Sequence, residues 1–157
     1  MTMRTHVPNL LARTGTISVL ALVTVAGTAL APGTTTDAEA TSVPTKAVRI
    51  AASKKGSPYR YGSQGPHSFD CSGLTRYSFK RAGRALPRTA AAQYNSSRRV
   101  PKAARKAGDL VFFHSSGGVY HVGIYAGRGR IWHAPKAGSA VRLERIWTRA
   151  VSYGRVR

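Results

Sequence analysis

Apolar and polar positions follow two different rhythms along this chain, and the change between them falls near Pro101. Before it, apolar residues recur at helical intervals. Val48, Ile50, Ala51 and Ala52 supply the apolar side of a helix over 45–55, which Gly56 stops. A second helix starts at Asp70 or Cys71 and ends near Gly83, with Leu74, Tyr77, Phe79 and Ala82 as its buried positions. Thr89 caps a third, short helix through Tyr94. Beyond Pro101 the pattern turns to strands, several alternating apolar and polar. Residues 110–114, 119–126, 130–133, 141–146 and 151–156 read as five strands separated by Gly-rich turns. Helices first and an antiparallel sheet afterwards is an α+β layout, N-terminal helices packed on a C-terminal sheet of about five strands.

Two stretches fit neither rhythm. Residues 56–69 carry Gly56, Pro58, Gly62, Gly65 and Pro66, and so long a loop in a compact domain suggests a segment that builds a site. Residues 1–40 read as an export signal and leader. Arg4 and Arg13 are basic, residues 17–30 are mostly apolar, and Ala29-Leu30-Ala31 or Ala38-Glu39-Ala40 offers small-residue cleavage. The apolar heart is interrupted by Thr24, Gly27 and Thr28 and is shorter than the roughly twenty residues a spanning helix needs. No cysteine lies nearby to take a lipid. The expectation is a secreted, cell-wall protein, monomeric, with no stable membrane span after cleavage, whose domain is residues 41–157.

Charge narrows the surroundings. The whole chain carries a formal +20, and residues 41–157 hold 23 Lys and Arg against Asp70, Asp109 and Glu144. For an exported protein this favours polyanionic neighbours such as wall polymers, although a basic face that serves solubility alone fits equally. The cations are scattered rather than gathered into a recognised nucleic-acid module, so no specific nucleic acid is expected.

Cys71 is the only cysteine. Exported proteins use cysteines in pairs as disulfides, so a single one is an inert buried thiol, an intermolecular link or a nucleophile. With Asp70 as the cap, Cys71 sits in the first turn of a helix, where unpaired N–H groups and the helix dipole lower a thiol's pKa. Its own backbone N–H then points toward a developing oxyanion. Ser72 and Gly73 are small and leave the sulfur open to substrate. The alternative is a buried, inert cysteine on an amphipathic helix.

Two histidines shift the balance toward a nucleophile. In the strand over 119–126, His121, Gly123 and Tyr125 share a face, and Gly123 leaves that face open to approach; in the next strand His133 shares a face with Ile131. A three-residue turn at Gly127-Arg128-Gly129 places Gly123 opposite His133, making His121 its diagonal neighbour on the same face. A two-residue turn would separate them. On one face, one imidazole deprotonates Cys71 while the other orients it. A metal site built from His114, His121, His133 and Cys71 lacks close ligand spacing, and neither metal nor cofactor is expected.

The motifs Gly56-Ser57-Pro58-Tyr59-Arg60-Tyr61-Gly62, Phe69-Asp70-Cys71-Ser72-Gly73-Leu74, Leu86-Pro87-Arg88-Thr89, Gly108-Asp109-Leu110-Val111-Phe112-Phe113, His121-Val122-Gly123-Ile124-Tyr125 and His133-Ala134 follow one another in order. From about Lys46 onward the chain resembles the NlpC-type, papain-like cysteine peptidases of bacterial cell walls. The resemblance implies Cys71 as nucleophile, His121 as general base and His133 as the third polar member. It implies Tyr59 beside the oxyanion, with Asp70 and Ser72 helping to hold the acyl side of the peptide. The implied reaction is hydrolysis of peptidoglycan stem peptides, typically between γ-D-glutamate and the following diamino acid, through a thioester acyl-enzyme. Two departures stand out: Ser63 follows Gly62 where a second glycine is usual, and neither the separate binding domain nor the long coiled-coil segment that such enzymes often carry is expected in residues 41–157. The high positive charge offers a substitute for the latter, through teichoic acids or similar polymers. Other readings of the residues are a non-catalytic wall or polyanion binder, and amidase or acyl-transfer chemistry on the same scaffold.

Overall fold

The structure, a computed structural model, describes residues 42–157. The export signal lies outside them, and among the described residues no helix is long and apolar enough to cross a membrane.

Three helices come first. α1 spans Val43–Ser53, α2 Cys71–Ala82 and α3 Ala90–Ser96. Their ends follow from their caps. Asp70 caps α2 by accepting the Gly73 N–H at 2.7 Å, and Gly83 ends it in the left-handed conformation at φ 102°. Thr89 caps α3 by accepting the Ala92 N–H.

Six strands follow: β1 Arg98–Val100, β2 Leu110–Ser115, β3 Gly118–Gly127, β4 Arg130–His133, β5 Arg142–Arg145 and β6 Val151–Arg155. They pair antiparallel in one sheet in the order β1-β6-β2-β3-β4-β5. The strand beyond the expected five is β1, three residues pairing with β6 at the sheet edge. Its Arg98-Arg99-Val100 is too short and too charged to show alternation.

Leu110, Val111, Phe112 and Phe113 of central β2 are all fully buried, because both faces of the sheet are covered there. Leu110 and Phe112 join Val122, Ile124 and the helix residues Ala47, Ala51 and Phe79 in one core. Val111 and Phe113 join Tyr125, Ile131 and Tyr153 on the opposite face. Burial of each phenylalanine contributes roughly 2–3 kcal/mol. Asp109, just before β2, locks β6 in place: Arg155 donates to both of its carboxylate oxygens, at 2.7 and 2.8 Å.

The β3–β4 connection departs from the expected three-residue turn. Gly127 pairs with Arg130, leaving only Arg128 and Gly129 in the turn, at φ 52° and 69°. A bulge between Tyr125 and Gly127 then shifts the register, so that Tyr125 faces Ile131 and Ile124 faces Trp132. That shift restores the pairing a longer turn would have given. His121 and His133 therefore share a face, by a different local route.

Candidate active site

α2 and strands β3 to β5 meet at a cleft of about 360 Å³, lined by Tyr59, Cys71, Tyr120, His121, His133, Pro135, Lys136, Arg142, Glu144 and Trp147. Cys71 is the first residue of α2 and is partly exposed. Burial raises its thiol pKa, and hydrogen bonding from the backbone of Val122 and Ser72 only partly offsets this. The helix start therefore does not produce the lowered thiol pKa expected from sequence. In the resting site Cys71 is a thiol.

The histidines are in direct contact. His121 Nε2 lies 2.9 Å from His133 Nδ1, and both rings are buried. Burial, followed by the neighbouring His133, lowers the His121 pKa to about 3; burial likewise lowers that of His133. Both are neutral near pH 7.

The next link has no assigned role in the sequence reading. His133 Nε2 lies 2.9 Å from Glu144 Oε2, the same oxygen that accepts from Arg142 Nε at 2.8 Å. Arg142 first, and His133 after it, hold the Glu144 pKa below its ordinary value, so Glu144 is a carboxylate and only accepts. Proton positions follow by elimination. His133 carries its hydrogen on Nε2 and accepts on Nδ1; His121 carries its hydrogen on Nε2. His121 Nδ1 is left as the free lone pair. Glu144 is legible in sequence as one of three acids in the domain, and its strand follows the His133 strand directly, with Glu144 opposite Ile131 and Arg142 opposite His133.

Trp147 has no signal in the sequence pattern at all. Its ring stacks on Phe113 at 4.2 Å and lies 5.8 and 5.4 Å from the rings of His121 and His133. Half exposed, it forms a wall of the cleft. It lies outside any regular element, which hides it from a periodicity argument.

The 56–69 loop packs against the start of α2. The Tyr59 N–H donates to the Ser139 carbonyl and the Phe69 N–H to the Pro58 carbonyl, which brings the Tyr59 ring to the cleft. Burial first, then the charges of Cys71 and Asp70, raise the Tyr59 pKa, so its hydroxyl remains a donor.

Asp70 and Ser72 flank Cys71 in sequence, yet neither lines the cleft. Asp70 accepts from the backbone of Gly73 and of Gly62, at 2.7 and 2.9 Å, and pairs with Arg88. Ser72 Oγ accepts from Arg88 Nη1 at 2.9 Å. These groups tie the loop, the helix start and the Leu86-Pro87-Arg88-Thr89 segment together. Gly73 does not open space for substrate: a Cβ there would lie 2.1 Å from the Ser63 carbonyl oxygen. Nor is the space at Gly123 open, since Ile131 Cδ1 would lie 2.9 Å from its Cβ.

The sequence model of the NlpC/P60 family matches residues 56–154, and the chain belongs to this family. The probable endopeptidase p60 of Listeria monocytogenes is 45% identical over 106 residues, covering 64% of this chain and 22% of that protein. The bifunctional muramidase/DL-endopeptidase CwlT of Bacillus subtilis is 40% identical over 113 residues, covering 66% of this chain and 33% of that one. The chain thus spans a fifth to a third of these two relatives. Among solved structures, the peptidoglycan hydrolase RipB of Mycobacterium tuberculosis superposes with a TM-score of 0.65 at 33% identity, over 73% of this chain and 64% of that one. The P60 domain of a Mycobacterium avium subspecies paratuberculosis antigen gives a TM-score of 0.65 at 29% identity, over 73% and 94%.

Proposed function

We propose that the protein is an exported cysteine endopeptidase that cleaves peptidoglycan stem peptides, at the bond between γ-D-glutamate and the following diamino acid. One observation carries the reading: the hydrogen-bonded series His121–His133–Glu144 ends in a free imidazole lone pair within the cleft that holds the only cysteine.

The resting thiol and neutral imidazole define the first step. As the Cys71 sulfur approaches the carbonyl carbon, His121 Nδ1 takes the thiol proton, so the nucleophile forms only as it is used. His133 and Glu144 stabilise the resulting imidazolium: Glu144 supplies the negative charge and His133 transmits it through two hydrogen bonds. The carbonyl oxygen gathers negative charge beside the Cys71 backbone N–H and the Tyr59 hydroxyl, both donors. The C–N bond then breaks, and the amine of the diamino acid leaves with the proton His121 holds. The acyl group remains on sulfur as a thioester. Water, deprotonated by the same imidazole, cleaves it and restores the thiol. Asp70, Ser72 and Arg88 serve the acyl side by fixing the loop that presents Tyr59.

Digestion of defined muropeptides, with the fragments weighed, tests the bond and the reaction class together. The expected product ends in γ-D-glutamate. Release of an intact stem from its sugar would instead identify an amidase and overturn the assignment.

A further inference from the structure

A second and larger cavity, about 720 Å³, lies next to the cleft and shares Trp147 with it. Arg99, Lys102, Arg105, Arg128, Arg145 and Arg149 line it, and no acid does. Each of the three acids among the described residues is taken elsewhere: Asp70 by Arg88, Asp109 by Arg155, Glu144 by Arg142 and His133. Among the described residues, the groove cations therefore have no side-chain carboxylate within ion-pair distance. Arg105 is also held in place. Its Nε donates to the Tyr125 hydroxyl at 3.0 Å, and its guanidinium lies 5.4 and 5.5 Å from the rings of Tyr125 and Tyr153. Arg99 reaches the groove only at its edge, since its guanidinium lies over the Tyr94 ring on the helix side of the sheet. The other five cations, like charges around one concavity, repel each other, a cost that an anionic occupant removes.

We propose that this groove binds a linear phosphodiester polymer of the cell wall and thereby brings the neighbouring cleft to its substrate, a role that rests on the endopeptidase reading. Four of these five cations are arginines, whose planar forks match phosphate oxygens in pairs. A single-stranded nucleic acid carries the same backbone charge and is held in addition by aromatic faces on which its bases stack. Here Tyr153 is buried, which leaves the half-exposed Trp147, with one face on Phe113, as the single aromatic ring the groove offers and favours a polymer without bases.

Binding of the full-length protein to purified poly(glycerol phosphate), followed over a range of salt, tests this. The variant R128Q/R145Q/R149Q should bind at least tenfold more weakly and show a shallower salt dependence, by roughly 0.7 in log–log slope for each phosphate no longer neutralised. The variant R60Q/K80Q/R84Q, equal in net charge and altered only at exposed residues lining neither cavity, should bind within twofold of the unaltered protein. Equal weakening in both variants would overturn the groove and leave only diffuse charge. Tighter binding to single-stranded DNA or to polyglutamate than to poly(glycerol phosphate) would overturn the choice of ligand. Hydrolysis of a soluble stem peptide should stay within twofold in both variants. Failure of the unaltered protein to cleave that peptide would count against the endopeptidase reading, while leaving the binding result to stand or fall alone.

Discussion

Glu144 and Cys71 carry their consequences in where protons sit. With a carboxylate at position 144, every hydrogen in the series is placed and His121 Nδ1 is free. Glu144→Gln replaces an obligate acceptor by a group that also donates. In the orientation that donates to His133 Nε2, the series reverses and His121 Nδ1 becomes protonated, useless as a base. Because the amide also has an acceptor orientation, the loss should be partial: kcat on a soluble stem peptide falls roughly tenfold with KM little changed, against roughly a hundredfold or more for His133→Ala. An unchanged kcat in Glu144→Gln would remove Glu144 from the mechanism. The raised Cys71 pKa makes a separate prediction. Alkylation by iodoacetamide should keep accelerating past pH 9, the ordinary thiol value, and a plateau reached by pH 7 would indicate a preformed thiolate instead. Sequence alone marks Cys71 and the two histidines through spacing and parity. It gives the wrong direction for the thiol pKa, because a helix-start argument does not register the partial burial of Cys71. Glu144 goes unassigned because its contact with His133 is a diagonal one between neighbouring strands, set by a register that residue types do not reveal.

The start of α2 is the element on which the site depends. Asp70 accepts two backbone N–H groups and pairs with Arg88, so Asp70→Ala removes a cap, a loop anchor and an ion partner at once. A destabilisation of about 2–4 kcal/mol in denaturant unfolding is expected, more than the roughly 1 kcal/mol of an ordinary cap. Gly73→Ala should also destabilise, by about 1–3 kcal/mol, since the Ser63 carbonyl occupies the space a methyl needs. It should depress activity as well, because Ser63 belongs to the loop that carries Tyr59. A stability unchanged by Gly73→Ala would mean that this loop is not held as described. The three helices are legible in sequence to within a few residues because Asp70, Gly83 and Thr89 are residues whose chemistry ends helices. The β3–β4 turn is less so: a bulge and a longer turn give the same parity, and residue types do not separate them. β1 is invisible because three residues show no period.

Across the whole molecule, burial of neutral histidines couples stability to acid. The His121 pKa falls from 6.5 to about 3 on folding, and that of His133 also falls. Between these values the unfolded chain binds protons the folded one refuses. Stability is therefore full above pH 6.5 and declines as the pH drops toward 3, approaching about 1.4 kcal/mol per pH unit for each such group. Urea midpoints measured from pH 7 to pH 4 should fall, and His121→Gln should flatten that fall; equal slopes in both proteins would contradict the buried, neutral assignment. The overall positive charge is plain in the sequence, but its concentration in a groove is not, since the cations come from separate stretches of chain at Lys102 and Arg105, at Arg128, and at Arg145 and Arg149. The central claim is that Cys71 attacks the peptide. Its most direct test is the hydrolysis rate of a soluble stem peptide by Cys71→Ala beside the unaltered protein, with circular dichroism to establish that both are folded. Attack by Cys71 predicts a loss of at least about a thousandfold; a folded Cys71→Ala protein within tenfold of the unaltered rate would contradict it.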